Sequence, residues 1–521
     1  MLRVPKALLG LTLVLLLFAA GLALRLYDLD DPPLDFHPVR QIHSALIARG
    51  MYEQSRAELP DWQRDMAVQQ WHSEGHIEPL IMESLAVWGY RLAGGTHLWI
   101  PRLWAIAFWM VGALFVFWLT RDLIGQAGAV LALWFFLIWP YGVIASRSFQ
   151  PESLFMALTA AALWAALRWE ASSRQPATAG QPSLPDEGRT RAIAAWALLT
   201  GLLAGLAIYI KLVAVFFVGP VLAVLVLSRG WRAISPRSWR RSWPVWGMAA
   251  LTVLPYSLYH IDGMYASGFL REQFSQRFFP QMWIDPAFYL RWISEMSRVI
   301  PFELVVVAAL AVLLVRHPLH RAALIALWAG YLAYGLALPH HIGTHDYYHL
   351  PLFIPVALSL GALAELVYRH LRGPAGLTRL AAVVALLAAL LITGYGARNT
   401  LKRSDFRAEA VQWQQVGAWL GPQANTVALV DDYGCRLKYW GWIMPLIWPT
   451  ADDLRWQVEN GGGEDFGALF DRIAAGQDFF VVSPLAELER QPELAQELAR
   501  HPIAYQANDV LIYDLRPASG P

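Results

Sequence analysis

Residues 27–56 read YDLDDPPLDFHPVRQIHSALIARGMYEQSR. They follow directly on an apolar run, Ala7–Leu26, that is about as long as a helix needs to cross a bilayer. Arg3 and Lys6 precede that run in the manner of a signal peptide, but LALRLYD offers no small-residue cleavage site, so the run is read as a retained span. The polar stretch after it opens with Asp28, Asp30 and Asp31 and turns at Pro32-Pro33. It then reaches Asp35 and His37 and starts a helical pattern at Pro38, a residue favoured at the first helical position. Asp35 and His37 are therefore placed in the loop before a helix N-terminus. Ile42, Ala45 and Leu46 form one apolar face that Arg49 interrupts, so this helix is expected to lie in the membrane interface instead of crossing.

The rest of the chain agrees with a membrane setting. Of 521 residues, 56% are hydrophobic, above the globular norm of about 45–50%. Formal net charge is only +1, so no global field recruits nucleic acid, and the positive charge informs through its placement. The single cysteine, Cys435, excludes an intramolecular disulfide. Further spanning runs are read at 102–120, 127–145, 150–168, 192–210, 212–228, 244–261, 301–316, 322–338, 350–368 and 380–397, which makes eleven in all. With the N-terminus inside, each short cytoplasmic loop is basic, from Arg121 through the arginines of 168–191 and 229–241 to those of 316–321 and 369–379. The odd count puts the tail from Arg398 outside. The loop 172–191, rich in Ser, Pro, Gly and Gln, is read as a flexible link, and 76–94 as a second interfacial helix. From Phe406 the pattern alternates strands (TVALV, DFFVVS, DVLIYDL) with helices, which predicts a small α/β domain with at least part of its sheet parallel. The expected architecture is a polytopic helical membrane domain, 1–400, carrying the outer loop 28–101, followed by a soluble exoplasmic α/β domain, 401–521.

Ionisable groups near a membrane are expensive, so their common sidedness is informative. Arg147 and Glu152 (in SRSFQPES), Lys211 between two apolar stretches, and His345, Asp346, Tyr347 and Tyr348 (in PHHIGTHDYYHLP) all fall on the side of Asp35. A carboxylate there can take a proton from an acceptor hydroxyl or amine, while lysine and arginine hold a phosphate that leaves with charge. Asp35 capping its helix, an Arg147–Glu152 ion pair, and a snorkelling Lys211 are the structural alternatives. The histidines of 340–349 match no strong metal-ligand spacing; a divalent metal remains conceivable there without a clear ligand pattern.

In order and sidedness these motifs resemble the membrane glycosyltransferases of C-type fold, in particular the polyprenyl-phosphate-mannose protein mannosyltransferases (family 39) and the lipid A aminoarabinose transferases. The resemblance rests on the acidic outer loop ending in Ile47-Ala48-Arg49, on Pro79-Leu80, on Arg147 with Pro151-Glu152, on Lys211 and on HDYYHLPL (345–352), and it covers the chain to about residue 400. It implies a hexosyl- or pentosyltransferase of a bacterial-type inner membrane. Such an enzyme takes its sugar from a polyprenyl-phosphate donor and delivers it to a protein or glycolipid acceptor on the outer face. Asp35 would be the base, with His37, Arg40, Arg147, Glu152, Lys211, His345, Asp346, Tyr347 and Tyr348 binding substrate. Where the family commonly has adjacent Asp-Glu, this chain reads DFHPVRQ, and alignment on Ile47-Ala48-Arg49 sets Arg40 at the acid's place. A transporter or flippase, or a non-catalytic relative serving as an assembly partner, are the alternatives. Against transport, the spans show no repeat with paired broken helices.

Overall fold

The computed structural model describes residues 6–75, 78–174, 187–230, 234–235, 239–271, 279–371, 376–403, 405–459 and 461–517. Most of the Ser/Pro/Gly-rich link at 172–191, and Arg232, Arg237 and Arg372 of the basic loops, lie outside these residues. The chain forms two compact units. Unit 1 comprises Met1–Leu29, His76–Ile81 and Arg102–Arg403, and unit 2 comprises Asp30–Gly75, Met82–Pro101 and Ser404–Pro521. The outer loop, attached to the spans in the sequence reading, thus groups with the tail.

All eleven apolar runs of the sequence fall on helices, from Lys6–Leu26 to Gly376–Arg403. Among the described residues, five helical segments are long and apolar enough to cross a membrane, or six if the pair Pro286–Val299 and Phe302–Leu314, bent by 88°, counts as one. The other runs fall short for local reasons. Pro140 lacks an N–H and splits the third run into Gln126–Ile138 and Pro140–Ala145. A break at Lys211 leaves Ala214–Leu227, 14 residues, or about 21 Å of helix.

Two devices hold unit 1 together. Gly201 and Gly205 lie one turn apart on Glu187–Ile210. A Cβ at Gly201 would come within 2.4 Å of the Met248 carbonyl oxygen and one at Gly205 within 2.0 Å of that of Leu251, both on Trp239–Ile261. This is the small-residue spacing that lets membrane helices approach backbone to backbone. The second device uses the break at Pro140. The Phe136 carbonyl, deprived of its helical donor, accepts from Trp109 Nε1 at 3.0 Å. The fully buried Arg25 donates to Leu137 O (2.7 Å), Gly21 O (2.8 Å) and Ser146 Oγ (2.7 Å), so a cation in the first helix is satisfied by acceptors that the break exposes.

In unit 2 the tail forms a five-stranded sheet from β1 (Thr426–Val430), β2 (Leu446–Ile447), β3 (Phe479–Ser483), β4 (Ile503–Ala507) and β5 (Val510–Asp514), in the order β2-β1-β3-β5-β4. β1 pairs in parallel with β2 and β3, whereas β5 runs antiparallel to both β3 and β4. Val427, Leu429, Trp448, Phe480, Leu498 and Tyr513 form the buried core. The segment LAELERQPELAQELARH, which reads as one helix, is two, Leu485–Glu489 and Pro492–Leu498, divided at Pro492. The helix Pro38–Glu53 is buried on nearly every face, Arg49 included, and packs against Asp61–Ser73 and Cys435–Gly441.

Candidate functional site

Lys211 sits where the helix Glu187–Ile210 ends and Ala214–Leu227 has not begun. Its ammonium is ion-paired with Glu152 and lies 3.9 Å from Glu78 Oε1. Glu152 is the first residue of Glu152–Arg174, where the helix dipole favours a carboxylate. The rings of Tyr347 and Tyr348, on the 3-10 turn Asp346–Leu352, stand 5.5 and 5.9 Å from the ammonium and wall it in. The Lys211 side chain is 11% exposed and that of Glu152 3%, so the pair is held in a low dielectric. The space between these groups, also lined by Tyr334, measures only about 10 Å³, little more than room for a water.

The other predicted residues of unit 1 take distinct places. Arg147, buried, donates from Nη2 to the Asp28 carbonyl at 3.0 Å. Asp346 lies against the Tyr141 hydroxyl. His345 is exposed, with its ring 5.5 Å from Tyr347 and 5.9 Å from Tyr348. The segment 345–350 is part exposed and part interior. His349 is buried and links the Tyr331 hydroxyl (2.7 Å) to the Ile342 carbonyl (2.9 Å), and Trp292 Nε1 donates to the same hydroxyl at 2.9 Å. Gln150, 1% exposed, has no hydrogen-bond partner for either end of its amide among the described residues. Sequence reasoning passed over its burial.

Asp35, His37 and Arg40 belong to unit 2. The N-cap of Pro38–Glu53 is His37, in the left-handed region at φ 44°, with no capping bond from its side chain; Asp35, half-buried, is not the cap residue. Gln41 Nε2 donates to Pro33 O (3.1 Å) and Phe36 O (2.6 Å), so the helix itself fixes the backbone on either side of Asp35. Arg40 N bonds to His37 O at 3.1 Å in the first turn.

Arg49, which the sequence offered as an interruption of an apolar face and as part of the Ile47-Ala48-Arg49 motif, is the organising cation of unit 2. It donates to Tyr439 O (2.5 Å), Gln70 Oε1 (2.5 Å) and Lys438 O (3.1 Å), and its guanidinium lies over the rings of Trp442 (3.9 Å) and Tyr439 (4.4 Å). Burial lowers its pKa to about 10. Nearby, Glu74 accepts from His43 Nδ1 (2.7 Å) and Lys438 Nζ (2.9 Å); burial alone would raise its carboxyl, but these partners outweigh it and hold the pKa below the usual value. Thus the structure gathers Glu152, Lys211, Tyr347 and Tyr348 in unit 1, and keeps Asp35, His37 and Arg40 on one short stretch of unit 2. Among the described residues, no group of three or more His, Cys, Asp or Glu could hold a metal ion.

Residues 89–262 match the model of the dolichyl-phosphate-mannose-protein mannosyltransferase family. A comparison of the sequence with curated proteins finds no match. Among solved structures, ArnT from Cupriavidus metallidurans is similar in its apo state, with a TM-score of 0.57 and 17% identity over 96% of this chain and 97% of that one. Its complex with undecaprenyl phosphate is similar at a TM-score of 0.54 and 18% identity over 98% and 99%. The oligosaccharyltransferase of Archaeoglobus fulgidus, tethered to an acceptor peptide containing the NVT sequon, is similar at a TM-score of 0.56 and 12% identity over 99% of this chain and 75% of that one. The chain therefore has the C-type fold of membrane glycosyltransferases, with its small sheet domain at the C-terminus.

Proposed function

We propose that the chain, on that fold, is an integral membrane glycosyltransferase. It moves a hexose or pentose from a polyprenyl-phosphate donor to a protein or glycolipid acceptor on the exoplasmic face. The observation that carries this reading is the half-buried Lys211, held by Glu152 between two tyrosine rings at a break between apolar helices. A lipid phosphate presented from the bilayer is an anion able to compete with Glu152 for this cation. The similarity to ArnT solved with undecaprenyl phosphate supports the donor class.

In this mechanism Lys211 and Arg147 bear the charge that grows on the phosphate as the sugar–oxygen bond breaks. Tyr347, Tyr348, Asp346 and His345 shape the donor end of the site. Asp35 takes the proton from the acceptor hydroxyl or amine, with His37 at the N-cap and Arg40 in the first turn of the helix that follows. The N-terminus lies in the cytoplasm of a bacterial-type cell, and the tail beyond residue 400 folds as a separate exoplasmic domain. The deciding experiment is transfer and donor binding measured side by side in purified, detergent-solubilised protein. Lys211→Met is expected to weaken both. A variant that transfers and binds like the parent removes Lys211 from the mechanism.

A further inference from the structure

A second cavity, of about 440 Å³, lies wholly within unit 2, and its volume falls in the range of roughly 300–1,000 Å³ typical of small-ligand sites. Its walls come from the outer-loop segments, through Asp30, Arg49 and His97, and from the tail, through Gln414, Tyr439 and Trp442. Three features mark it as built. Trp442 is held at φ 55°, ψ 36°, a left-handed conformation in which a bulky residue is an outlier and which clusters at ligand clamps. The guanidinium of Arg49 lies over Trp442 and Tyr439 while its Nε, buried in a wall of the cleft, has no hydrogen-bond partner among the described residues. Asp30, His97 and Gln414 are exposed at the same cleft, so its polar groups are wet.

We infer that this cleft binds a pyranose saccharide. A hydrocarbon chain would desolvate the exposed Asp30, His97 and Gln414 without repaying their hydrogen bonds. A phosphate-rich ligand would find one cation, already engaged with rings and carbonyls, and an opposing carboxylate. A sugar ring matches the wall, because its apolar C–H face suits the half-buried indoles of Trp99 and Trp442 while its hydroxyls meet mixed donors and acceptors at the edge. On the function proposed above, to which this role alone is tied, the saccharide is the sugar portion of a glycolipid acceptor.

The test uses the full chain in detergent, probed on an array of defined oligosaccharides, with tryptophan-fluorescence titration of those that bind. Saturable binding to a related set of glycans is expected. Gln414→Ala, at an exposed position, and Trp442→Ala should each weaken it about tenfold, the equivalent of one lost contact of about 1.4 kcal/mol, whereas Lys211→Met leaves it unchanged. Gln414→Ala keeps the test decisive if Trp442→Ala fails to fold. Binding to no glycan on the array, equal binding by both cleft variants, or binding only to a parallel array of peptides overturns the inference. Glycan binding that persists in protein unable to move sugar from any lipid-phosphate donor upholds the saccharide site, and the failure then falls on the transferase reading.

Discussion

Glu152 competes with any phosphate for Lys211, and this gives a prediction with an unusual sign. A phosphate oxygen hydrogen-bonded to the ammonium at about 2.8 Å would sit within about 6 Å of the Glu152 carboxylate, since the carboxylate already contacts the same ammonium. At an effective dielectric near 20, two like unit charges about 6 Å apart repel by about 3 kcal/mol. Glu152→Gln removes that repulsion while keeping the shape of the side chain, so binding of a short-chain polyprenyl phosphate should tighten, by about 10- to 100-fold once lost pre-organisation is subtracted. The same change strands Lys211 without its closest counter-ion. Breaking a buried pair in this way costs about 3–5 kcal/mol, so the ligand-free variant should unfold at lower temperature than the parent. Ligand should restore more stability to the variant than to the parent, because it supplies the missing anion. The assays are fluorescent polyprenyl-phosphate binding and thermal unfolding of the full chain in one detergent. Binding by Glu152→Gln that weakens, or stays at the parental level, would refute the competition between Glu152 and the phosphate for Lys211.

Asp35→Asn should lower turnover by roughly the 10²–10⁴-fold typical of a lost general base while donor binding holds, and near-parental transfer would remove Asp35 from the mechanism. Gly205→Ala puts a methyl 2.0 Å from the Leu251 oxygen, and the forced helix separation should cost about 1–3 kcal/mol in an unfolding titration. Because the folded-state pKa of Glu74 is depressed, its contribution to the stability of unit 2 is complete above the unfolded value of about 4.3 and fades as pH falls through the lower folded value. Glu74→Gln should therefore flatten the acid side of the stability–pH profile, and an unchanged profile would refute the assignment. Residues 405–517 contain their entire sheet core and should fold cooperatively alone, with gained stability when joined to residues 30–75, whose Arg49 satisfies the Lys438 and Tyr439 carbonyls; urea titration of the two proteins compares them.

What was legible in the sequence followed from periodicity and solvent demand. Apolar runs became helices because a bilayer leaves the backbone no other partner, and TVALV and FFVVS became central strands because they are buried along nearly their whole length. The parallel part of the sheet was likewise foreseen. β4 was not: Ile503–Ala507 is mostly exposed and borders only β5, so it carries no buried pattern. Lys211, Glu152 and the tyrosines were visible as charged and aromatic positions, but their convergence depends on helix breaks that hydropathy does not locate to a residue. Arg49 was misread for a physical reason. An arginine on an apolar face signals either exposure or a buried partner, and here the partners lie 389–390 residues away, at Lys438 and Tyr439. Nothing in the helix itself announces them.

Arg25 carries a consequence for the order of biosynthesis. Its acceptors at Leu137 and Ser146 lie 112 and 121 residues further along the chain. At synthesis rates of roughly 5–20 residues per second, the first helix exists for about 6–24 seconds before they emerge. During that interval the guanidinium must reach up to the interfacial water, so the nascent helix rides at a shallower depth than the finished one. Only when Pro140 breaks the third run does a polar pocket open into which the cation can descend. The insertion of one segment is thereby made conditional on the shape of another. Ribosome-bound chains arrested before residue 137 should leave a cysteine introduced near position 22 open to aqueous labelling, and chains arrested well beyond residue 146 should protect it; equal labelling at both lengths would refute the sequence of events.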